Sequence, residues 1–171
     1  MLNISIIGWL HTLTCIFAMI AGGVALFAIK GSVDHKKWGH WYIYVMAVTN
    51  LSALLIYPEG QFNVFHWMAV GTLAALSLGW YAAPRQGSAG WANTHLSCML
   101  WSYYMLYGGL INEAFLRVAV LREFSPFFGS DGRLFGMIQM LVMLFFIVLW
   151  IKFLIRTTRL YKQSKSARQA A

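Results

Sequence analysis

The sequence predicts an all-α fold: an integral membrane helical bundle with five transmembrane helices, four of which form a histidine-bearing core. Of its 171 residues, 60% are hydrophobic and only 11% are charged. A soluble domain of this size cannot bury so much apolar surface, because a large share of a small domain faces water. The apolar residues fall into five stretches, each long enough to cross about 30 Å of hydrocarbon.

The first three spans are delimited by polar and helix-breaking residues. The first ends at Lys30, and Asp34 in the loop that follows is the expected N-cap of the second helix. Pro58 ends the second span; the third begins after Asn63 and ends before Pro84. The predicted spans are about residues 4–29, 38–57, 64–83, 91–113 and 134–154, in a single transmembrane domain, residues 1–156, followed by a basic cytoplasmic tail, residues 157–171.

The fourth span has a less distinct end than the others. Helical periodicity continues beyond Gly108 and Gly109 as far as Phe124, so the helix is expected either to project from the membrane or to bend at the glycines. Residues 125–133 contain Pro, Gly and Ser and are predicted to form a loop. The fifth span is rich in Met, Phe, Leu, Ile and Val and has no histidine.

The basic residues predict the orientation. In the five-span arrangement nine of them lie on one side: Lys30, Lys36, Lys37, Arg85, Arg156, Arg159, Lys162, Lys165 and Arg168. Only Arg117, Arg122 and Arg133 lie on the other. The positive-inside rule then places the N-terminus outside and the C-terminus in the cytoplasm. Because the net charge of +8 accumulates beside apolar runs, we expect a lipid bilayer and no nucleic acid as partner.

Two histidines are expected at one level near the outer face. An ionisable residue inside an apolar span is costly and marks a functional site. The interval along the chain from His11 to Lys30 equals the interval from His66 to Arg85. Both spans run from outside to inside, so the equal intervals predict equal depths.

Two further histidines are expected at one level near the inner face. The interval from His40 to Pro58 equals the interval from His95 to Glu113, in spans that run from inside to outside. A rise of about 1.5 Å per residue separates the two levels by roughly 20 Å. His35 begins the second helix and is the alternative to His40.

Two pairs at separate heights predict two cofactors. Bis-histidine ligation of haem iron suits imidazoles that face each other across an apolar bundle, whereas zinc or copper would require more ligands. The sequence has no Cys-x-x-Cys-His, so two non-covalent haem b groups are expected. Gly22 and Gly109 lie close to the faces of His11 and His95 at the opposite level and would make room for a macrocycle; glycine is also common at membrane helix contacts.

Three segments carry a resemblance: HTLTCIFAMIAGG, HKKWGHWYIYVMAVTNLSAL and THLSCMLWSYYMLYGGLINE. Between about Trp9 and Glu113 the chain resembles an uncharacterised bacterial multi-span membrane-protein family with a domain of unknown function, and its ligand arrangement resembles the cytochrome b561-type di-haem membrane cytochromes. The chain departs from the family pattern at Lys36 and Leu96, where the family has arginine. The resemblance implies His35 as the counterpart of the histidine in the His-Arg box that opens the family's second span, whereas the depth count favours His40.

The leading hypothesis is a b-type di-haem cytochrome of the bacterial inner membrane, an oxidoreductase only in the electron-transferring sense. Its outer iron would be ligated by His11 and His66, and its inner iron by His95 with His40 or His35. Electrons would be exchanged with quinone or a partner redox subunit, and a patch formed by Asn112, Glu113 and Arg117 could serve docking or proton handling.

Two alternatives remain open. In the first, the protein is a non-catalytic accessory subunit of a larger membrane complex and its histidines are structural. In the second, it is a metal-handling membrane protein. A second copy of the chain, in a homo-oligomer, is a further expected partner. The two cysteines, both in apolar runs, are interpreted as small hydrophobic residues.

Overall fold

The computed structural model describes residues 5–56, 61–85 and 88–170, and within these ranges it is all-α with no strand. The all-α prediction is therefore confirmed. Short 3-10 turns cover Ala83–Arg85 and Pro126–Phe128. The helices in chain order are α1 (Ile6–Phe27), α2 (Val33–Leu54), α3 (Val64–Ala82), α4 (Ala89–Arg117), α5 (Ala119–Arg122) and α6 (Arg133–Ala170).

Two of the described helices are long and apolar enough to cross a membrane: α1 and the first 31 residues of α6, Arg133–Gln163. This suggests a membrane protein. The other three long helices overlap predicted spans. Their histidines, tyrosines, tryptophans, glycines and small polar residues lower their mean hydropathy. The five-span topology and the orientation of the termini therefore stay predictions.

Large apolar side chains point outward and small ones inward along α1. Ala18 and Ala21 are fully buried, whereas Leu13 is 60% exposed and Ile20 is 53% exposed. A soluble helix has the opposite distribution, with its large apolar residues in the core. Small residues at helix contacts and large ones outside are typical of helices that pack in lipid.

Contacts divide the chain into two compact units, Met1–Ser77 and Leu78–Ala171, and the boundary falls within α3. In the first unit, α1 packs along α2. In the second, α4 packs along α6. Each unit is thus organised around a pair of long helices.

The start of α2 differs from the prediction, and the difference matters for His35. Ser32, in extended conformation, is the N-cap, and its hydroxyl accepts the backbone N–H of His35 at 3.1 Å. The expectation that Asp34 is the cap was wrong: Asp34 lies in the first turn, where a negative charge complements the helix dipole. The helix therefore begins at Val33, and His35 lies within its first turn.

The long helices also end differently from the predictions. Helix α4 runs through Gly108 and Gly109 as one helix and ends at Arg117, and its C-cap, Val118, has an extended backbone. The predicted 125–133 loop is confirmed up to residue 132, because Gly129 and Gly132 adopt φ of +87° and +62°, and α6 begins at Arg133. Helix α6 continues through the basic segment to Ala170. The predicted stop at Pro58 and the first residue of the first span lie outside the described residues.

Candidate functional site

His11 lies in the second turn of α1 and is hydrogen-bonded to α2. Its Nδ1 lies 3.0 Å from the carbonyl oxygen of Thr49 and 3.2 Å from the hydroxyl oxygen of Ser52. The Ser52 hydroxyl donates its own hydrogen to the Thr49 carbonyl at 2.8 Å, so both oxygens can accept from the imidazole. The arrangement selects the tautomer protonated at Nδ1, which leaves the lone pair on Nε2.

The Nε2 of His11 faces a sulfur atom. Cys15 lies one turn further along α1, and its Sγ is 3.5 Å from Nε2. A thiol can donate weakly to the imidazole lone pair. The same two atoms are also a pair of ligands that soft metal ions accept. Sequence reasoning interpreted Cys15 only as a small hydrophobic residue, although its position one turn after His11 indicates the contact.

His35 and His95 make equivalent contacts in different units. His35 Nδ1 lies 2.8 Å from the carbonyl oxygen of Ala25 on α1. His95 Nδ1 lies 2.8 Å from the carbonyl oxygen of Gly79 on α3. In each case a half-buried histidine near the start of a helix donates to a carbonyl near the end of the preceding long helix. Both histidines are thereby protonated at Nδ1.

Gly79 permits the contact made by His95. A Cβ atom placed on Gly79 would lie 2.8 Å from Met99 Sδ and 3.1 Å from Cys98 Cβ, both on α4. These distances are shorter than ordinary van der Waals contacts, so a side chain at this position would require the Met99 side chain to move and Cys98 to give way slightly. Sequence reasoning missed both acceptors. The available signal was their spacing, because Ala25 follows His11 at almost the same interval at which Gly79 follows His66.

His40 has a different environment from His35. Its side chain is exposed and stacks on Tyr44, with the ring centroids 6.5 Å apart. His35, just over one turn nearer the start of the same helix, is half-buried and bonded to α1. The depth count that favours His40 as a ligand stays a prediction.

His66 is 2% exposed and is held by the residues that precede α3. Its Nδ1 lies 2.8 Å from Asn63 Oδ1 and 3.1 Å from the backbone nitrogen of Asn63. The ring of Phe62 packs on the imidazole at a centroid distance of 4.7 Å. Because Nδ1 meets both an acceptor and a donor, these contacts do not select a tautomer as they do for the other three.

The remaining predicted site residues lie in varied surroundings. Gly22 is buried in the alanine-lined face of α1. Gly109 faces open space, since an added Cβ would meet no atom within 4 Å. Glu113 and Arg117 form an ion pair one turn apart on α4 with both side chains about half exposed, which is typical of a solvated helix end. Asn112 beside them is buried.

Among the described residues no three His, Cys, Asp or Glu side chains lie close enough together to hold a metal ion. Comparisons with protein-family models, with curated proteins and with solved structures found no match to this chain.

Proposed function

We propose that this protein is a b-type di-haem membrane cytochrome that carries electrons from one face of the membrane to the other. The supporting observation is the hydrogen bonding of three candidate ligands. In His11, His35 and His95, Nδ1 faces a backbone carbonyl oxygen. Histidines that bind metals usually donate their second ring N–H in this way, which fixes the orientation of the ring and makes the imidazole a more basic ligand.

The proposed ligand pairs are His11 with His66 and His35 with His95. The first pair rests on the equal depth counts in the sequence. For the second pair, depth can be counted from the residues that accept the histidine hydrogen bonds. Ala25, the acceptor for His35, precedes Lys30 by almost the same interval as Gly79, the acceptor for His95, precedes Arg85. Measured from the basic ends of the preceding helices, His35 and His95 are therefore equivalent, and we place His35 ahead of His40.

A haem iron held by two imidazoles supplies reversible one-electron chemistry. The proposed histidines would provide the ligating nitrogens, and the chain would hold these nitrogens in fixed orientation. The carbonyls of Thr49, Ala25 and Gly79 accept the Nδ1–H bonds, which makes each imidazole more basic. An apolar surround would exclude water from the ligands. Quinone or a redox subunit remains the proposed exchange partner.

Absorption spectroscopy tests the proposal. The protein is produced with ample haem supply, purified, and measured in the reduced and oxidised states. We expect a b-type alpha band and about two haems per chain. His11→Ala, His35→Ala, His66→Ala and His95→Ala should each lower the haem content by about one half.

His40→Ala is the matched control, because His40 lies on the same helix as His35 and is exposed. It should retain both haems. Loss of haem in His40→Ala with retention in His35→Ala would restore the depth-based assignment. A colourless protein would overturn the cytochrome proposal, and a stoichiometric copurifying partner would then favour an accessory subunit.

One contact favours a second candidate, a metal-handling membrane protein. His11 Nε2 and Cys15 Sγ are 3.5 Å apart, and Met19 lies one turn further along α1. Imidazole, thiolate and thioether form a ligand set suited to Cu(I). Copper bound by a colourless protein and lost in Cys15→Ser would select this candidate. For the cytochrome, Cys15→Ser should leave the haem content unchanged.

A further inference from the structure

The C-terminal part of α6 carries uncompensated positive charge. No Asp or Glu follows Asp131 in the sequence, whereas seven basic residues do. Arg156, Arg159 and Lys162 are exposed in the structure. At the other end of the helix, Arg133 pairs with Asp131 at 2.9 Å. The two ends of α6 therefore differ in their electrostatic character.

The position of these charges matches the edge of a bilayer. From Leu134 to Arg156 the helix rises by about 33 Å, close to the thickness of the hydrocarbon layer. Arg159 and Lys162 follow within about 9 Å along the axis, at the depth of the headgroups. Because α6 continues without a break to Ala170, it presents both side chains from a regular helix.

One face of this segment forms a shallow, open recess on the helix surface, which has an aliphatic part and a polar part. Along the helix, the apolar side chains come first and the basic and amide side chains follow. The lining residues are Leu154, Ile155, Thr158, Arg159, Lys162 and Gln163. A phospholipid has the same order of apolar and polar groups along its length: acyl chain, glycerol ester and phosphate.

We propose that this recess binds the headgroup of an anionic phospholipid. Arg159 would contact the phosphate with its planar fork, and Lys162 would add a point charge. Thr158 and Gln163 can hydrogen-bond to ester and phosphate oxygens. Leu154 and Ile155 would contact the first part of the acyl chain. Basic residues at the end of a membrane helix attract anionic lipids by this mechanism.

The aliphatic part of the recess argues for a lipid in place of a nucleic acid or an acidic protein. Leu154 and Ile155 continue the apolar surface of α6, on which Phe145, Val148 and Ile151 are exposed. A partner that is only anionic would leave this part of the recess unmatched. The proposal does not depend on haem.

Binding of a fluorescent phosphatidylglycerol to the full-length protein in neutral detergent provides the test. We expect unlabelled phosphatidylglycerol to displace the probe, while phosphatidylcholine and inorganic phosphate do not. Arg159→Gln and Lys162→Gln should each weaken binding by about fivefold, and the double variant by about 25-fold. Arg159→Lys keeps the charge and should have a smaller effect.

Arg133→Gln is the matched control, since it removes one exposed charge from the other end of α6. It should leave lipid binding unchanged. Displacement by inorganic phosphate would overturn the proposal in favour of a free-anion site, and displacement by phosphatidylcholine would show a site without headgroup preference. Unchanged binding in the double variant, with its helical circular dichroism intact, would also overturn it. The haem content of the variants should equal that of the parent protein in every case, so this test is separate from that of the cytochrome.

Discussion

The His35 contact with Ala25 and the His95 contact with Gly79 reach the same hydrogen-bond length of 2.8 Å through different packing. In the first unit the acceptor residue carries a Cβ and belongs to an alanine-lined face of α1. In the second unit the acceptor is a glycine against which Cys98 and Met99 pack. The acceptor residue in the first unit thus has room for a Cβ atom, whereas the acceptor residue in the second unit has little.

The largest effect is expected when a side chain is placed in the close helix contact at Gly79. Gly79→Leu should destabilise the protein by about 1–3 kcal/mol or more, because the added atoms overpack a close helix contact. Thermal unfolding in detergent measures the change. Gly109→Ala is the control, since its Cβ would meet no atom within 4 Å, and it should be neutral or stabilising by up to about 1 kcal/mol. Equal losses in both variants would contradict the packing argument.

The histidine bonds themselves should be worth less than the glycine contact. Removing the imidazole in His95→Ala takes a donor away from the Gly79 carbonyl and should cost about 1–3 kcal/mol, at the lower end where water reaches the site. His35→Ala should cost less, because Lys30 Nζ also donates to the Ala25 carbonyl at 3.2 Å. His40→Ala should change the free energy of unfolding by less than about 0.5 kcal/mol. Unfolding of protein prepared without haem separates this effect from ligand loss. A similar cost for all three variants would remove the distinction between His35 and His40.

A further difference between the two regions lies in the helix starts that precede the histidines. The Ser32 hydroxyl caps α2 by accepting the His35 N–H, whereas Ser88 precedes α4 without a side-chain cap bond. Ser32→Ala should therefore cost about 1 kcal/mol, and Ser88→Ala should be nearly neutral. Denaturant or thermal unfolding of the pair decides the matter. The reverse order would show that the cap does not hold His35 in place.

The smallest effect is expected at the helix end that carries Glu113 and Arg117. Their ion pair is about half exposed, so Glu113→Gln should cost at most about 0.5 kcal/mol. The effect should disappear in high salt, since exposed charges are screened. A loss greater than about 1 kcal/mol, or a fall in electron-transfer rate without loss of stability, would support the docking role predicted from the sequence.

Residue type and periodicity predicted the helices but not the contacts between them. The five apolar stretches, the loop at residues 125–133 and the histidine-bearing helices follow from local sequence. The acceptors Ala25 and Gly79 do not, because a backbone carbonyl becomes a partner only where two helices approach closely. Likewise, the sequence alone could not distinguish Ser32 from Asp34 as the N-cap, because both residue types cap well and only the backbone conformation decides between them.

The length of α6 has a topological consequence. Its 38 residues extend for about 57 Å, more than the roughly 40–45 Å of a whole bilayer with its headgroups. If the apolar part crosses the membrane, the last turns of α6 must extend into water on one side of the membrane only. Trypsin added to sealed vesicles would shorten the chain there from one side and not from the other.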